Sequence, residues 1–382
     1  MILVVYLTLN LLRKLYKTMK QHEFDHLNQN KINGETNQDT LYLFWQPTKE
    51  GVRLMKVYGQ NPCLVLPETV EERPITEIGA YCFSQSERDI SGDYFISEIL
   101  SGAVSGSITS IPRKPTEQRI CPESFPLGTV QRISGRFVES ITLPSTVTTL
   151  HNAAFYNCRN LHTLSVGSEI RAIGSDEFTN CSRLTELILR CEDSQKTGLS
   201  LILERIETDL NVYFTSGSRI TGALFFPEYY EWLDEISPAH IFSRSIHGEG
   251  FRMRKCFQNQ IVDYKKYDQC FENALAVESE KSLCQIAMNR LRWPKDLTAD
   301  LEAVYENILK KHLTIAISKA VQKRDMELLL FLCRRLSFGT AEFTQAITAC
   351  TEADWASGVA SLMEEKHRLG SFADNSFDFD EF

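Results

Sequence analysis

Three stretches of this chain repeat one apolar pattern at a fixed interval of 23 residues, which limits its fold more than any other feature. Val138, Ile141 and Leu143 are answered by Leu161, Leu164 and Val166, then by Leu184, Leu187 and Leu189. The segments between keep the same register. Val147, Leu150 and Phe155 become Ile170, Ile173 and Phe178, and Asn157-Cys158 becomes Asn180-Cys181. A short strand cannot bury its apolar side alone, but strands and return turns of equal length can stack into a solenoid with one continuous core. Alternation in Ile141-Thr142-Leu143 and Leu164-Ser165-Val166 turns the large side chains inward, and Phe155 and Phe178 are expected to fill the opposite side of that core. Asn157 and Asn180 are expected to satisfy backbone groups in the turns.

The segments AAFYNCRNLHTLSV at 153–166 and DEFTNCSRLTELIL at 176–189 resemble the BspA-like class of leucine-rich repeats. A weaker echo lies upstream, where Ile75, Ile78 and Phe83 repeat the spacing of Val147, Leu150 and Phe155. The resemblance covers roughly 62–215 and implies a curved, strand-lined scaffold that often carries a recognition surface. In this register Ser140, Thr142, Thr163, Ser165, Glu186 and Ile188 fall on the exposed strand face. Small hydrogen-bonding groups, one carboxylate and one apolar edge suit polar macromolecular recognition, although any short repeat array exposes such a face. Residues 88–137 break the register and read as an insertion, within which Tyr94–Leu100 has the aromatic and branched residues of a strand.

The flanks read differently. Met1–Leu12 is apolar and is followed by Arg13, Lys14, Lys17 and Lys20. The run is shorter than the ~20 residues of a spanning helix, and its charge follows rather than precedes it, unlike a signal peptide. A packed helix, an atypical anchor and a dispensable extension before Met19 all remain open, the last preferred. A polar linker, 21–40, leads to a first strand at Leu41–Trp45. After Leu189 an irregular last repeat gives way to Leu224, Phe225, Phe226, Tyr229, Tyr230 and Trp232, expected to cap the solenoid's open end; an aromatic sugar platform is the alternative. Arg252, Arg254 and Lys255 are expected on a solvated face. His247, Cys256 and Cys270 lack a zinc-site spacing, and the 11 cysteines form no CxxC pair or disulfide framework. Buried reduced thiols, and with them a reducing compartment, are the expectation.

Helical periodicity takes over near 270, with helices expected over Gln269–Val277, Glu280–Leu291, Leu301–Lys311, Leu313–Gln322 and Met326–Leu336. Leu313, Ala316, Ile317 and Ala320 map 30 residues on to Phe343, Ala346, Ile347 and Cys350, and Leu329 and Leu332 to Val359 and Leu362. AISKAVQKRDMELLLFL at 316–332 resembles ankyrin-type helix pairs without their TPLH signature. The chain ends in SFADNSFDFDEF, where Phe372, Phe377, Phe379 and Phe382 alternate with acids. Such a tail can offer aromatic anchors to a basic partner, fold back, or serve solubility alone.

The expected fold class is therefore mixed α and β: a short-stranded leucine-rich-repeat solenoid followed by an all-α helical-repeat domain. The expected divisions are an extension and linker at 1–40, repeats at 41–220, a cap or junction at 221–275, helical repeats at 276–369 and a tail at 370–382. A net charge of −9 without a Lys/Arg block argues against nucleic acid. No phosphate loop, zinc-hydrolase spacing or nucleophile elbow is present. The sequence points to a noncatalytic protein-interaction scaffold, possessing no recognisable cofactor or metal site, with glycan or small-ligand binding at the aromatic junction as the alternative. A cytoplasmic location is expected, with membrane association or export through the apolar N-terminus as the alternative.

Overall fold

The computed structural model describes residues 40–86, 88–100, 130–236 and 241–373. The N-terminal apolar segment and the tail positions Phe377, Phe379 and Phe382 lie outside the described residues. Two compact units emerge, one holding residues up to 246 together with 250–263, the other residues 247–249 together with those from 264 onward.

The first unit is the solenoid. Its principal sheet stacks β3 (Cys63–Val65), β8 (Ser140–Thr142), β10 (Thr163–Val166), β12 (Glu186–Leu189) and β13 (Leu210–Ser216) in parallel. β14 (Arg219–Phe226) closes this sheet antiparallel to β13. Leu64, Ile141, Leu164, Leu187 and Val212 align across the five parallel strands, and all five are buried. The insertion is thus looped out of the register: β3 pairs directly with β8 although 74 residues separate Val65 from Ser140.

A second sheet holds β5 (Arg73–Ile78), β9 (Thr149–Leu150) and β11 (Ala172–Ile173) in parallel. It is extended by β2 (Val52–Gly59), β1 (Thr40–Pro47) and β6 (Phe95–Leu100). The strand expected at Tyr94–Leu100 is β6, paired antiparallel with β1. Between the sheets, Phe83, Phe155 and Phe178 stack with centroids 5.3 and 5.4 Å apart. The return turns bond to one another as well: Phe83 N–H donates to the Ala154 carbonyl and Phe155 N–H to the Glu177 carbonyl. Tyr81, Ala153 and Asp176 recur in the left-handed region, as do Asn157 and Asn180. The two asparagines tolerate that backbone, and their side chains bond to each other at 2.7 Å, where turn backbone groups had been the expected partners. The recurrent cysteines have a role here, since the Cys158 thiol donates to the Phe83 carbonyl and the Cys181 thiol to the Phe155 carbonyl.

The expected boundary at 220 falls inside β14, because the cap is continuous with the repeat sheet. Phe225, Phe226 and Tyr229 are buried in it. Arg254, expected on a solvated face, is buried too. Its guanidinium donates to the carbonyls of Ile206, Thr208, Pro227 and Gly250 and lies over the Tyr229 ring, so carbonyl acceptors replace water.

The second unit is helical. It contains α3 (Tyr264–Val277), α4 (Glu280–Arg292), α5 (Ala299–Lys311), α6 (Leu313–Lys323), α7 (Met326–Arg335), α8 (Thr340–Glu352) and α9 (Ala356–Ala373); α1 (Leu199–Leu203) and α2 (Gly250–Met253) belong to the solenoid unit. The helices therefore begin at Tyr264, ahead of the helix expected from Gln269 and the domain boundary expected at 276, and continue through Phe372 into the expected tail. The 30-residue correspondence has a backbone counterpart. Arg324 and Asp354 both end a helix at φ +49°, and Asp325 and Trp355 donate to the carbonyls of Ala320 and Cys350, each at 2.9 Å. Ala316, Ala320, Ala346 and Cys350 are buried on the matched faces, consistent with helical repeats.

One polar cluster fixes the first helices of this unit. Arg290 forms two hydrogen bonds to Asp268, at 2.7 and 2.8 Å, and caps the carbonyls of Trp293 and Lys295. Tyr305 donates to the same carboxylate at 2.8 Å. All three side chains are essentially inaccessible. Burial and the adjacent carboxylate push the Tyr305 hydroxyl pKa up, so it stays a donor.

Candidate recognition surface

The strand face of the principal sheet carries two rows of side chains, one per alternating position. The first runs Cys63, Ser140, Thr163, Glu186 and Asn211; the second runs Val65, Thr142, Ser165, Ile188 and Tyr213. All six positions expected from the sequence thus meet on one sheet. Five strands at ~4.8 Å spacing give each row a length of about 19 Å. Ser140, Thr142, Thr163, Glu186 and Ile188 are half-buried, while Val65 at one end is exposed. Thr163 Oγ1 lies 3.4 Å from Glu186 Oε2 and 3.0 Å from His162 Nδ1, so hydroxyl, carboxylate and imidazole are already linked.

Ser165 corrects the expectation of exposure: it is buried, because Arg190 folds over it. Arg190 Nη1 donates to Ser165 Oγ at 3.0 Å, and its Nη2 reaches the Leu143 carbonyl. Burial lowers the Arg190 pKa, while the charge of Glu68 opposes that shift. Glu68 itself accepts from the Ser145 N–H and hydroxyl. The sequence signal for Arg190 is a break in a column, since the same register places Pro144 and Gly167 at this point in the two preceding repeats. Asn211, missed because the repeat pattern fades there, ends the first row with an amide oxygen that has no hydrogen-bond partner.

The tail candidates are Phe372, Phe377, Phe379 and Phe382. The backbone of Phe372 lies in α9, and the other three lie outside the described residues. The aromatic junction does not form a platform, since Leu224, Phe225, Phe226 and Tyr229 face the core, and Tyr230 and Trp232 alone are exposed.

A separate open cleft of about 630 Å³ is lined by Gln46, Thr48, Arg53, Glu77, Asp93 and Thr149 among others. Its half-buried carboxylate is committed: Glu77 Oε2 meets Arg53 Nε at 2.7 Å and His151 Nε2 at 2.6 Å. Burial pushes the Glu77 carboxyl up, but the bonds and charges of His151 and Arg53 outweigh it and hold the pKa low. No group of three or more His, Cys, Asp or Glu among the described residues could hold a metal ion. Burial raises the Cys82 and Cys333 thiols, and the hydrogen bond with Cys181, then burial, raises Cys158; these are packing groups rather than thiolates. No helix of the described residues is long and apolar enough to cross a membrane.

Residues 134–200 match the family model described as BspA type leucine rich repeat region (6 copies). No curated protein and no solved structure matches the chain. Leucine-rich repeats generally mediate protein interactions and are typically non-enzymatic, which at that coarse level suggests an interaction scaffold. The parallel strands β8, β10 and β12, the recurrent Asn-Cys turns and the stacked Phe155 and Phe178 all fall within the matched segment, and residues 134–200 are a BspA-type leucine-rich repeat region.

Proposed function

We propose that the protein is a noncatalytic scaffold that binds a polypeptide partner along the two strand-face rows, regulating that partner by association. The observation that carries this reading is the strict parallel register of Ser140, Thr163 and Glu186 beside Thr142, Ser165 and Ile188. Hydroxyls, a carboxylate and an apolar edge held on rigid strands form a preorganised polar surface, so few side chains lose freedom on binding. The half-buried state of most of these groups favours a flat contact over a deep ligand pocket. The buried free thiols support a reducing compartment, and with it a cytoplasmic location.

The test is affinity capture from source cells with the full chain and a Thr163→Arg/Glu186→Arg variant. The expected result is a partner retained by the native chain and lost by the variant, with thermal unfolding unchanged. Equal retention by a folded variant would remove the strip from the binding surface.

A further inference from the structure

β15 (Tyr230–Ile236) and β16 (Ile241–His247) pair as a two-stranded sheet with no third strand among the described residues. Each strand therefore leaves one edge open. Such a small sheet ordinarily needs a covered apolar face to be stable, yet here both faces meet water. Leu233 and Phe242 are 66% and 67% exposed and Trp232 57%. Arg244 bonds to Glu231, which puts these two on one face. Alternation adds Leu233, Phe242 and Ile246 to that face and leaves Tyr230, Trp232 and Asp234 on the other. Large apolar side chains gathered on both faces of an open-edged sheet mark an interaction site rather than scattered surface residues.

Charge decides between occupants. β15 has the sequence YEWLDEI, three acids in seven residues. Antiparallel pairing of β15 with its counterpart in a second copy, centred on Leu233, would set Glu231 against Glu235 on both sides, a destabilising arrangement. An extended segment with Lys or Arg alternating with branched apolar residues meets the opposite situation: its cations lie on the face of Glu231 and Glu235 while its apolar groups cover Trp232 on the other. We propose that β15 takes up such a basic–apolar segment of another protein as a third strand. Main-chain bonds along the edge supply affinity and the acids select the sequence. This site is independent of the strand-face rows and stands or falls separately.

The probe is a synthetic peptide of alternating Lys and Val, about ten residues long to span a strand, with a Glu–Val peptide as control. Both are titrated into the full chain. Of the four tryptophans, Trp45 and Trp355 are buried and Trp293 half-buried, so Trp232 is the strongly exposed reporter. The Lys–Val peptide is expected to bind and shift Trp232 emission to the blue, and the Glu–Val peptide to do neither. Trp232→Phe removes the shift but retains binding by calorimetry. Combining Glu231→Gln and Glu235→Gln, which keeps side-chain size, weakens the Lys–Val peptide roughly fivefold, the summed effect of two exposed charges. Equal binding of the two peptides, or full Lys–Val affinity in the neutralised variant, would overturn the proposal. So would self-association in sedimentation that Leu233→Asp abolishes, since the occupant would then be a second copy.

Discussion

Replacing Glu177 with Gln should stabilise the repeat unit above neutral pH and leave it unchanged in acid. Glu177 is wholly buried in the column that Cys82 and Ala154 occupy in the other turns. Neither carboxylate oxygen has a hydrogen-bond partner. The surrounding backbone is close: a Cβ on Gly174 would lie 2.1 Å from Asn152 Oδ1 and 2.9 Å from Glu177 Oε1, so the turn has no room to open around the charge. Burial lifts the carboxyl from 4.5 to about 7; nearby backbone amides and the charge of Arg205 oppose this, and Asp176 adds to it. Because the folded pKa is raised, the folded state binds more protons than the unfolded chain between 4.5 and about 7. Stability is therefore highest below that window, falls through it and is flat above. The whole interval, at ~1.4 kcal/mol per pH unit, corresponds to about 3 kcal/mol as an upper bound. Gln has the shape of the protonated acid and carries no charge, so it should escape the loss. Hydrogen–deuterium exchange on peptides spanning 164–189 of the full chain reads the opening of this unit directly. Parallel pH profiles for the native chain and Glu177→Gln would refute the reasoning, because the carboxylate would then cost nothing to ionise where it sits.

Three further outcomes follow from the packing. Phe155→Ala, which empties the middle of the aromatic column, should cost about 3–5 kcal/mol in urea unfolding; a loss below ~1 kcal/mol would mean the column collapses to fill the gap. Arg290→Ala should lower helical-unit stability by roughly 3–5 kcal/mol by stranding Asp268, and adding Asp268→Leu should restore a large part of it; failure of the second change to help would place the energy elsewhere. Glu365 is held down to about 2, chiefly by its hydrogen bond to Arg334, against burial and with help from Arg368. That depressed pKa means its contribution is complete above 4.5 and is lost as pH falls toward 2, so Glu365→Gln should flatten the acid transition in that window, read by ellipticity.

The solenoid was legible because its period is a packing constraint. Each turn must present Leu, Ile or Val to the sheet and Phe to the return side, so Ile141, Leu164 and Leu187 report the strand register without ambiguity. The jump from β3 to β8 was not legible, since nothing local tells Leu64 that its neighbour is Ile141 and not a residue in the next 30. The helix end at Arg324 was legible as the gap between the helices expected at Leu313–Gln322 and Met326–Leu336, whereas the start at Tyr264 was hidden by Asp268. A carboxylate on a core face reads as a surface position until Arg290, more than 20 residues later, is brought against it. The same blindness hid Arg254 and Arg190, whose partners include backbone carbonyls that no side-chain pattern encodes. On the strand face the register fixed which residues align but not how far each is covered, and Ser165 was lost to Arg190 for that reason.

The same period that builds the core also separates core from surface, and this makes the recognition strip testable. The aromatic column facing inward keeps its volume in every turn, and Phe83, Phe155 and Phe178 are identical. Rows facing outward carry no such demand, and Ser140, Thr163 and Glu186 differ in size and charge at equivalent places. A change such as Thr163→Val keeps the β-branch that suits a strand and removes a hydroxyl whose partners, His162 and Glu186, can both turn to water. Its stability cost should stay within about 0.5 kcal/mol. A loss of binding in that variant would then report recognition alone, whereas an unfolding penalty near that of Phe155→Ala would mean that the row is part of the core and the strip is not a free surface.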